Sequence, residues 1–292
     1  MIPETVMREL RYLEVATARK MRTMRVGPFT SRLRGEGFDF DELQPYRPGD
    51  DVRRIDWNVT ARLDAPFVRQ THAERELTMM IAVDVSRSME LGTSHHSKRE
   101  AMMFVTASLL FSALSTAVNT GFLAFGDRAI VSRPPRRTRA AAWGVLEQCW
   151  SAPASSRTAL VPMVRHLART LKRMSLVFLV SDFITDEDLF GTPDLAMLAA
   201  RHDVVAVIPE DPFERQLPAG PGYVSVRDLE SGRRAAVDLG ARSRRRYAAE
   251  ARRHRELLGR AFYRAGIEHV FVPTDGRAVE PLMTFFAGRA RR

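Results

Sequence analysis

The chain has 292 residues, of which 45% are hydrophobic, and this is enough for one large α/β domain or for one domain with an appended region. Its single cysteine, Cys149, excludes an internal disulfide and a zinc knuckle, and it fits a reducing compartment. Residues 1–25 are charged and interrupted and lack the continuous apolar core of a signal peptide, so we expect a cytoplasmic protein.

The formal net charge is +10, and almost all of the basic residues are arginine. A surface of this charge attracts nucleic acid, anionic lipid or acidic proteins, but net charge argues about association and not about fold. We interpret the arginines as a solvated surface and do not expect nucleic acid to be the partner. A steep salt dependence of nucleic-acid affinity would argue against this interpretation.

The N-terminal part predicts a helix-and-loop extension at residues 1–73. Apolar side chains recur at helical spacing between Glu4 and Met24, which indicates an amphipathic helix. Glycine and proline residues end this helix, and a polar loop rich in turn residues follows. The next stretch, Val52–Val68, contains Trp57 and three arginines and predicts a mixture of short pieces.

From Leu77 onward the pattern is that of an α/β domain. Leu77–Asp84 is a nearly continuous apolar run, which is typical of a strand buried on both faces of a parallel sheet. Further strand-like runs lie at residues 120–125, 175–181, 203–208 and 269–272. Helical patterns lie at residues 98–117, 139–150, 161–173, 193–201 and 243–265. This alternation predicts a doubly wound α/β domain with a mainly parallel sheet over residues 74–292.

One stretch, residues 101–118, carries no charge and has nearly the length of a membrane span. It also contains several serine and threonine hydroxyls, and it follows a strand and a polar loop, as a helix of an α/β core does. We therefore predict that it is a buried helix of the domain and that the chain has no membrane span.

Polar residues stand where two of the predicted strands end. Asp84, Ser86 and Ser88 follow the first buried strand, Thr158 stands in a polar loop before a helix, and Asp182 ends another apolar run. In open α/β sheets, ligand sites lie outside the carboxyl ends of the strands. Hydroxyl and carboxylate oxygens without His or Cys suit a hard cation such as Mg²⁺, Mn²⁺ or Ca²⁺. An Asp-x-Ser-x-Ser string alone is often a turn or a helix cap, but the five residues together predict a shared metal site.

This set of residues resembles the metal-ion-dependent adhesion site of von Willebrand factor A domains. Upstream segments resemble the signature of the bacterial domain-of-unknown-function fifty-eight family, whose members carry such an A domain. These segments are Gly37–Leu43, Tyr46–Asp51, Arg54–Trp57 and Ala61–Arg62. The two resemblances together cover nearly the whole chain.

The resemblance implies a partner and a role. Family members are often encoded beside MoxR-type AAA+ ATPases, which implies that the chain is an adaptor for such an ATPase in protein maturation or complex assembly. Two positions depart from the pattern of A domains. Arg87 stands where a small residue is common, and the loop before Thr158 lacks the usual glycines. We expect the Arg87 guanidinium either to weaken cation binding or to pair with an acidic partner.

The leading interpretation is a non-enzymatic, metal-dependent protein-interaction module. In it, the cation keeps an open coordination position that an acidic residue of the MoxR-type ATPase, or of its client, fills. The alternative is a Mg²⁺-dependent phosphoester hydrolase, because two strand-end aspartates are compatible with a catalytic Mg²⁺. The sequence shows no evident general base, no phosphate-binding loop and no nucleophile elbow, which favours the interaction module.

Overall fold

The computed structural model describes residues 2–23, 42–47, 50, 52, 55–63, 65–70, 77–229 and 232–289. The chain divides into two compact units, one formed by Met1–Pro28 with Leu77–Arg292 and the other by Phe29–Glu76. The sequence-based division at residues 73 and 74 instead groups the N-terminal helix with the signature segments. Parts of those segments lie outside the described residues, namely residues 37–41, 48, 49, 51 and 54.

The described residues form helices and strands in the following chain order. They are α1 (Glu4–Thr23), β1 (Glu42–Pro45), α2 (Trp57–Leu63), β2 (Phe67–Gln70), β3 (Thr78–Asp84), α3 (Lys98–Ser115), β4 (Asn119–Phe125), β5 (Ala129–Arg136), α4 (Arg139–Ser151), α5 (Leu160–Thr170), β6 (Leu176–Val180), α6 (Pro193–Arg201), β7 (Asp203–Glu210), α7 (Pro212–Arg215), β8 (Tyr223–Arg227), β9 (Arg234–Asp238), α8 (Ala241–Arg264), β10 (Glu268–Pro273) and α9 (Val279–Arg289).

The described residues of the smaller unit form short pieces, as predicted for Val52–Val68, but β1 lies within the stretch predicted to be a polar loop. Strands β1 and β2 pair antiparallel, and Tyr46 N donates to Pro66 O at 2.7 Å beyond the end of the ladder. Helix α2 begins after Asp56, whose Oδ1 accepts hydrogen bonds from the backbone N–H groups of Asn58 and Val59. An aspartate before the first turn satisfies N–H groups that have no partner within the helix.

The larger unit is built on a six-stranded sheet of order β10-β7-β6-β3-β4-β5. All neighbouring strands are parallel except β4 and β5, which are antiparallel. From β3, the chain proceeds to β4 on one side, and β6, β7 and β10 follow on the other. The order therefore reverses between β3 and β6, and open α/β sheets bind ligands at such a point.

Helices cover both faces of this sheet, which confirms the predicted doubly wound α/β fold. Helices α5, α6 and α8 pack on one face in a single buried cluster with residues of the four strands β3, β4, β6 and β7. On the other face, Phe286 of α9 contacts Phe178 of β6, and α9 also packs against α3. Because both faces are covered, every residue of β6 is buried, and the strand shows no alternation of polar and apolar residues.

Helix α3 contains most of the uncharged stretch, residues 101–115, and its burial confirms the prediction of a buried helix. The Ser97 side chain caps the helix by accepting a hydrogen bond from Glu100 N. The Glu100 carboxylate in turn accepts from the backbone N–H of Ser97 at 2.8 Å, which completes a capping box. Fourteen of its residues are buried, and α1 packs against it with Leu10 fully buried. Among the described residues, no helix is both long enough and apolar enough to cross a membrane.

Strand β5 closes one side of the sheet and was not predicted. It carries the sequence Arg133-Pro-Pro-Arg136 at its end, and most of its residues are exposed. Strands β8 and β9 form a separate exposed antiparallel pair between β7 and α8. These strands lack the continuous apolar run that marks the central strands, and most of their residues are exposed.

A buried ion pair ties the C-terminal helix to the sheet. The Arg289 guanidinium of α9 donates to both carboxylate oxygens of Asp203 at 2.7 and 2.6 Å. It also lies 2.8 Å from the Glu268 carboxylate at the start of β10. Arg289 and Asp203 are both about 5% exposed, so neither charge has water as an alternative partner.

We predict that Arg289→Ala lowers the free energy of unfolding by about 3–5 kcal/mol, because it leaves the buried carboxylate of Asp203 without its cation. The matched control is Arg260→Ala, which removes an exposed pair with Glu256 and should cost about 1 kcal/mol or less. Urea denaturation followed by circular dichroism measures both. Equal costs for the two variants would contradict the prediction.

Candidate functional site

The candidate site lies at the carboxyl ends of β3 and β6, where the strand order reverses. The two strands are parallel neighbours, and Val83 stands opposite Val180 in their register. Asp84 is the last residue of β3, and Asp182 follows two residues after the end of β6. Both carboxylates are buried, and the predicted placement of the two aspartates at adjacent strand ends is confirmed.

The Asp84 carboxylate is the common acceptor of this site. Its Oδ1 accepts from Ser86 N at 2.8 Å, and its Oδ2 accepts from Ser181 Oγ at 2.7 Å and from Thr158 Oγ1 at 3.2 Å. Burial, and after it the negative charge of Asp182, raises the pKa of Asp84 to about 6, and the hydrogen bonds only partly oppose this shift. The site therefore has a carboxylate whose charge is costly to bury and which a cation would stabilise.

The two serines of the Asp-x-Ser-x-Ser string face each other. Ser86 Oγ and Ser88 Oγ lie 3.0 Å apart, with Ser86 fully buried and Ser88 half-buried in a short 3₁₀ helix. Because one of two paired hydroxyls donates to the other, each oxygen keeps lone pairs for a further partner. Arg87 lies between them in the chain, and its side chain is exposed to solvent.

A loop anchored by Ser155 brings Thr158 to Asp84. Ser155 N donates to Val85 O at 2.9 Å, and Arg87 N donates to Ser155 O at 2.9 Å. The loop therefore pairs parallel with the residues that follow β3, through a bridge between Ser86 and Ser155. Ser155 Oγ also accepts from Asp127 N at 2.9 Å. A Cβ added at Gly126 would lie 2.1 Å from the Ser155 Cβ, so the loop approaches this closely only because residue 126 is glycine.

Asp182 is held by a different set of partners. Its Oδ1 accepts from Ile184 N at 3.1 Å, and its Oδ2 accepts from Lys98 Nζ at 2.8 Å. The same ammonium donates to Glu214 Oε1 at 2.5 Å. Burial on its own would lower the pKa of Lys98, but the charges of Asp182 and Glu214 outweigh it and raise this pKa.

Asp211, the residue before α7, fixes Glu214 and ties two further loops to the site. Its carboxylate accepts from the backbone N–H of Thr93 at 2.9 Å and from the Thr93 and Thr274 hydroxyls. Burial alone would raise the pKa of Asp211, but these hydrogen bonds, with that from Phe213 N, lower it. The loops after β3, β7 and β10 are thereby joined through one carboxylate.

Sequence reasoning missed Ser181, Lys98 and Glu214. Ser181 had a signal, because it stands directly before Asp182 at the end of the same apolar run. Lys98 and Glu214 had none in the local pattern, since their sequence positions indicate only the first turn of a helix. The structure links them to the site by contacts between residues far apart in the chain.

The chemistry of these donors fits a hard divalent cation. The Asp84 carboxylate lies 3.2 Å from Thr158 Oγ1 and 2.7 Å from Ser181 Oγ, and Ser86 Oγ and Ser88 Oγ lie 3.0 Å from each other. Within the part of the chain that the structure describes, no three His, Cys, Asp or Glu side chains form a metal-binding group. A cation here would therefore depend on neutral hydroxyl ligands and water together with carboxylate, a set that Mg²⁺ or Mn²⁺ accepts.

Comparison with known proteins places this α/β chain in a family. The family model described as "Protein of unknown function DUF58" matches residues 42–257, and the chain belongs to this family. Uncharacterized proteins of Mycobacterium tuberculosis and Mycobacterium bovis are 31% identical to it over 285 residues, covering 97% of this chain and 89% of each relative.

Solved structures are more distant. BatB from Bacteroides thetaiotaomicron is 17% identical, with a TM-score of 0.46 over 74% of this chain and 100% of that chain. A von Willebrand factor type A protein from Catenulispora acidiphila is 13% identical, with a TM-score of 0.38 over 74% of this chain and 42% of that one. The fold class follows from the strand order and helices of the chain itself.

We predict that Gly126→Ala lowers the free energy of unfolding by about 1–3 kcal/mol, because the added methyl group must displace the Ser155 loop. Gly144→Ala is the control, since a Cβ at that position of α4 meets open space, and it should stabilise the helix by about 0.5–1 kcal/mol. Thermal denaturation of the two variants measures the difference. A neutral Gly126→Ala would show that the loop can move without cost.

Proposed function

We propose that this chain is a non-enzymatic interaction module that binds a divalent cation, Mg²⁺ or Mn²⁺, at Asp84, Ser86, Ser88, Thr158 and Asp182. The observation that carries the proposal is the arrangement around Asp84. A buried carboxylate with a raised pKa stands at a strand end among the hydroxyls of three different segments. Such a site favours a bound cation over an unpaired buried charge.

The residues of the site have separate tasks in this proposal. Ser86 and Ser88 offer neutral oxygens, which leave a bound cation strongly attractive to an incoming carboxylate. Asp84 supplies negative charge from the end of β3, and Thr158 contributes a hydroxyl oxygen from the loop before α5. When bound, the cation supplies a position for an acidic side chain of the partner. Arg87 is exposed beside the two serines, where it can pair with another acidic group of that partner.

The partner that we propose is a MoxR-type AAA+ ATPase or a client protein that it acts on. Membership of the DUF58 family supports this assignment, together with the resemblance of the five residues to the metal-ion-dependent adhesion site of von Willebrand factor A domains. The chain would then act as an adaptor in protein maturation or complex assembly.

We predict that the chain binds Mn²⁺, and that Ser86→Ala/Ser88→Ala weakens this binding by about tenfold or more, because it removes two oxygens from an ion that needs about six. The fold should survive, since Asp84 keeps its bonds from Ser86 N, Ser181 and Thr158. Isothermal titration calorimetry measures the affinity. Ser151→Ala, an exposed serine of α4, is the control and should bind as the native chain does.

Binding of a MoxR-type ATPase from the same organism tests the function itself. The native chain should bind the ATPase in the presence of Mg²⁺, and EDTA should abolish this binding. The Ser86→Ala/Ser88→Ala variant should bind the ATPase weakly, and EDTA should not weaken its binding further. ATPase binding that EDTA does not change would show that the function does not require the metal. Hydrolysis of a phosphoester by the isolated chain with Mg²⁺, lost in Asp84→Ala, would contradict the non-enzymatic proposal and support a hydrolase.

A further inference from the structure

Lys98 is a fully buried lysine beside the candidate cation site. Its side chain is 0% exposed, and its ammonium lies 2.8 Å from Asp182 Oδ2 and 2.5 Å from Glu214 Oε1. A long charged side chain is rarely enclosed in this way unless it is paired. Here it is the first residue of α3, so the helix directs it toward the strand ends instead of toward solvent.

The charge of Lys98 is held in place from two sides. The Lys98 ammonium lies between the carboxylates of Asp182 and Glu214 and donates a hydrogen bond to each. Glu214 is fixed in turn, because its Oε2 accepts from Asp211 N at 2.9 Å and Asp211 is bonded to the loops of Thr93 and Thr274. The second carboxylate that pairs with the ammonium is therefore held in position by the backbone before α7.

Asp182 thus has both of its oxygens engaged within the chain. Oδ1 accepts from Ile184 N, and Oδ2 accepts from the Lys98 ammonium. A divalent cation that uses Asp182 must share this carboxylate with a positive charge that the chain itself supplies. Like charges at such short range repel, and a low-polarity interior strengthens the repulsion.

We infer that Lys98 is an internal counter-ion that competes with the divalent cation for Asp182 and so limits the affinity of the site. This inference rests on the proposed function, because it concerns the same cation. It gives the protein a metal-free state in which Asp182 and Glu214 already share one positive charge. It also makes tight cation binding depend on the additional carboxylate that a partner brings.

Lys98→Met tests this directly, since methionine keeps most of the apolar stem and removes the charge. We expect the metal-free variant to be less stable, because Asp182 and Glu214 lose their common cation. We also expect it to bind Mn²⁺ about tenfold more tightly than the native chain, because the repulsion is gone. Titration calorimetry and the rise in Tm with Mn²⁺ measure the two effects, and Lys172→Met, an exposed lysine, is the control.

A second pair of variants decides the matter if Lys98→Met fails to fold. Glu214→Gln and the double variant Lys98→Met/Glu214→Gln differ only in the ammonium, and the double variant removes one buried charge of each sign. The double variant should bind Mn²⁺ about tenfold more tightly than Glu214→Gln. Equal or weaker binding of Mn²⁺ by the double variant would overturn the counter-ion proposal and leave Lys98 as a structural residue.

The outcomes for the two proposals are distinct. If the native chain binds Mn²⁺ and removal of Lys98 does not tighten binding, the counter-ion proposal is overturned while the proposal of a metal-dependent module stands. If only the variants without Lys98 bind Mn²⁺, the counter-ion stands and the native chain loses its proposed cation. If none of these proteins binds Mn²⁺, both proposals are overturned.

Discussion

The face of the molecule at the ends of β3 and β6 is organised around one buried carboxylate. Asp84 continues an apolar strand, so water cannot solvate it, and its charge must be compensated by donors within the protein. Those donors come from the turn after β3, from the end of β6 and from the loop before α5. Three segments that are separate in the chain therefore take positions set by a single acceptor.

The apolar sheet and the polar site are parts of the same arrangement. Strands buried on both faces place their ends in a region of low polarity, and this is why burial is the largest influence on the pKa of Asp84. The strand order reverses between β3 and β6, which is where open α/β sheets bind ligands. Fold and site thus depend on each other: the sheet makes charge costly there, and the loops supply the groups that offset that cost.

The sequence predicts the central strands and the long helices well, because burial on two faces produces long apolar runs. It predicts the end of β3 at Asp84 correctly, and the buried character of α3 follows from its lack of charge after the first turn. Strand β5, the β8–β9 pair and α9 were not predicted. The first two are exposed and carry charged residues or proline, which weakens every local signal of a strand.

The candidate site divides in a similar way. Asp84 and Asp182 could be found because each ends a recognisable strand, and parallel strands bring their ends together. The bonds of Lys98 join residues 84 and 116 positions apart along the chain, so no local pattern contains them. Gly126 is intermediate: its position after β4 is visible in the sequence, but the reason for a glycine there is the approach of Ser155, which only the structure supplies.

The exposed strand β5 has a consequence for how the protein can associate. Two consecutive prolines near its end have no N–H to donate, and the arginines on either side of them carry like charges. A further strand, from a second copy or from a misfolded neighbour, would find neither a regular ladder nor a neutral surface there. This side of the sheet therefore resists growth by strand addition.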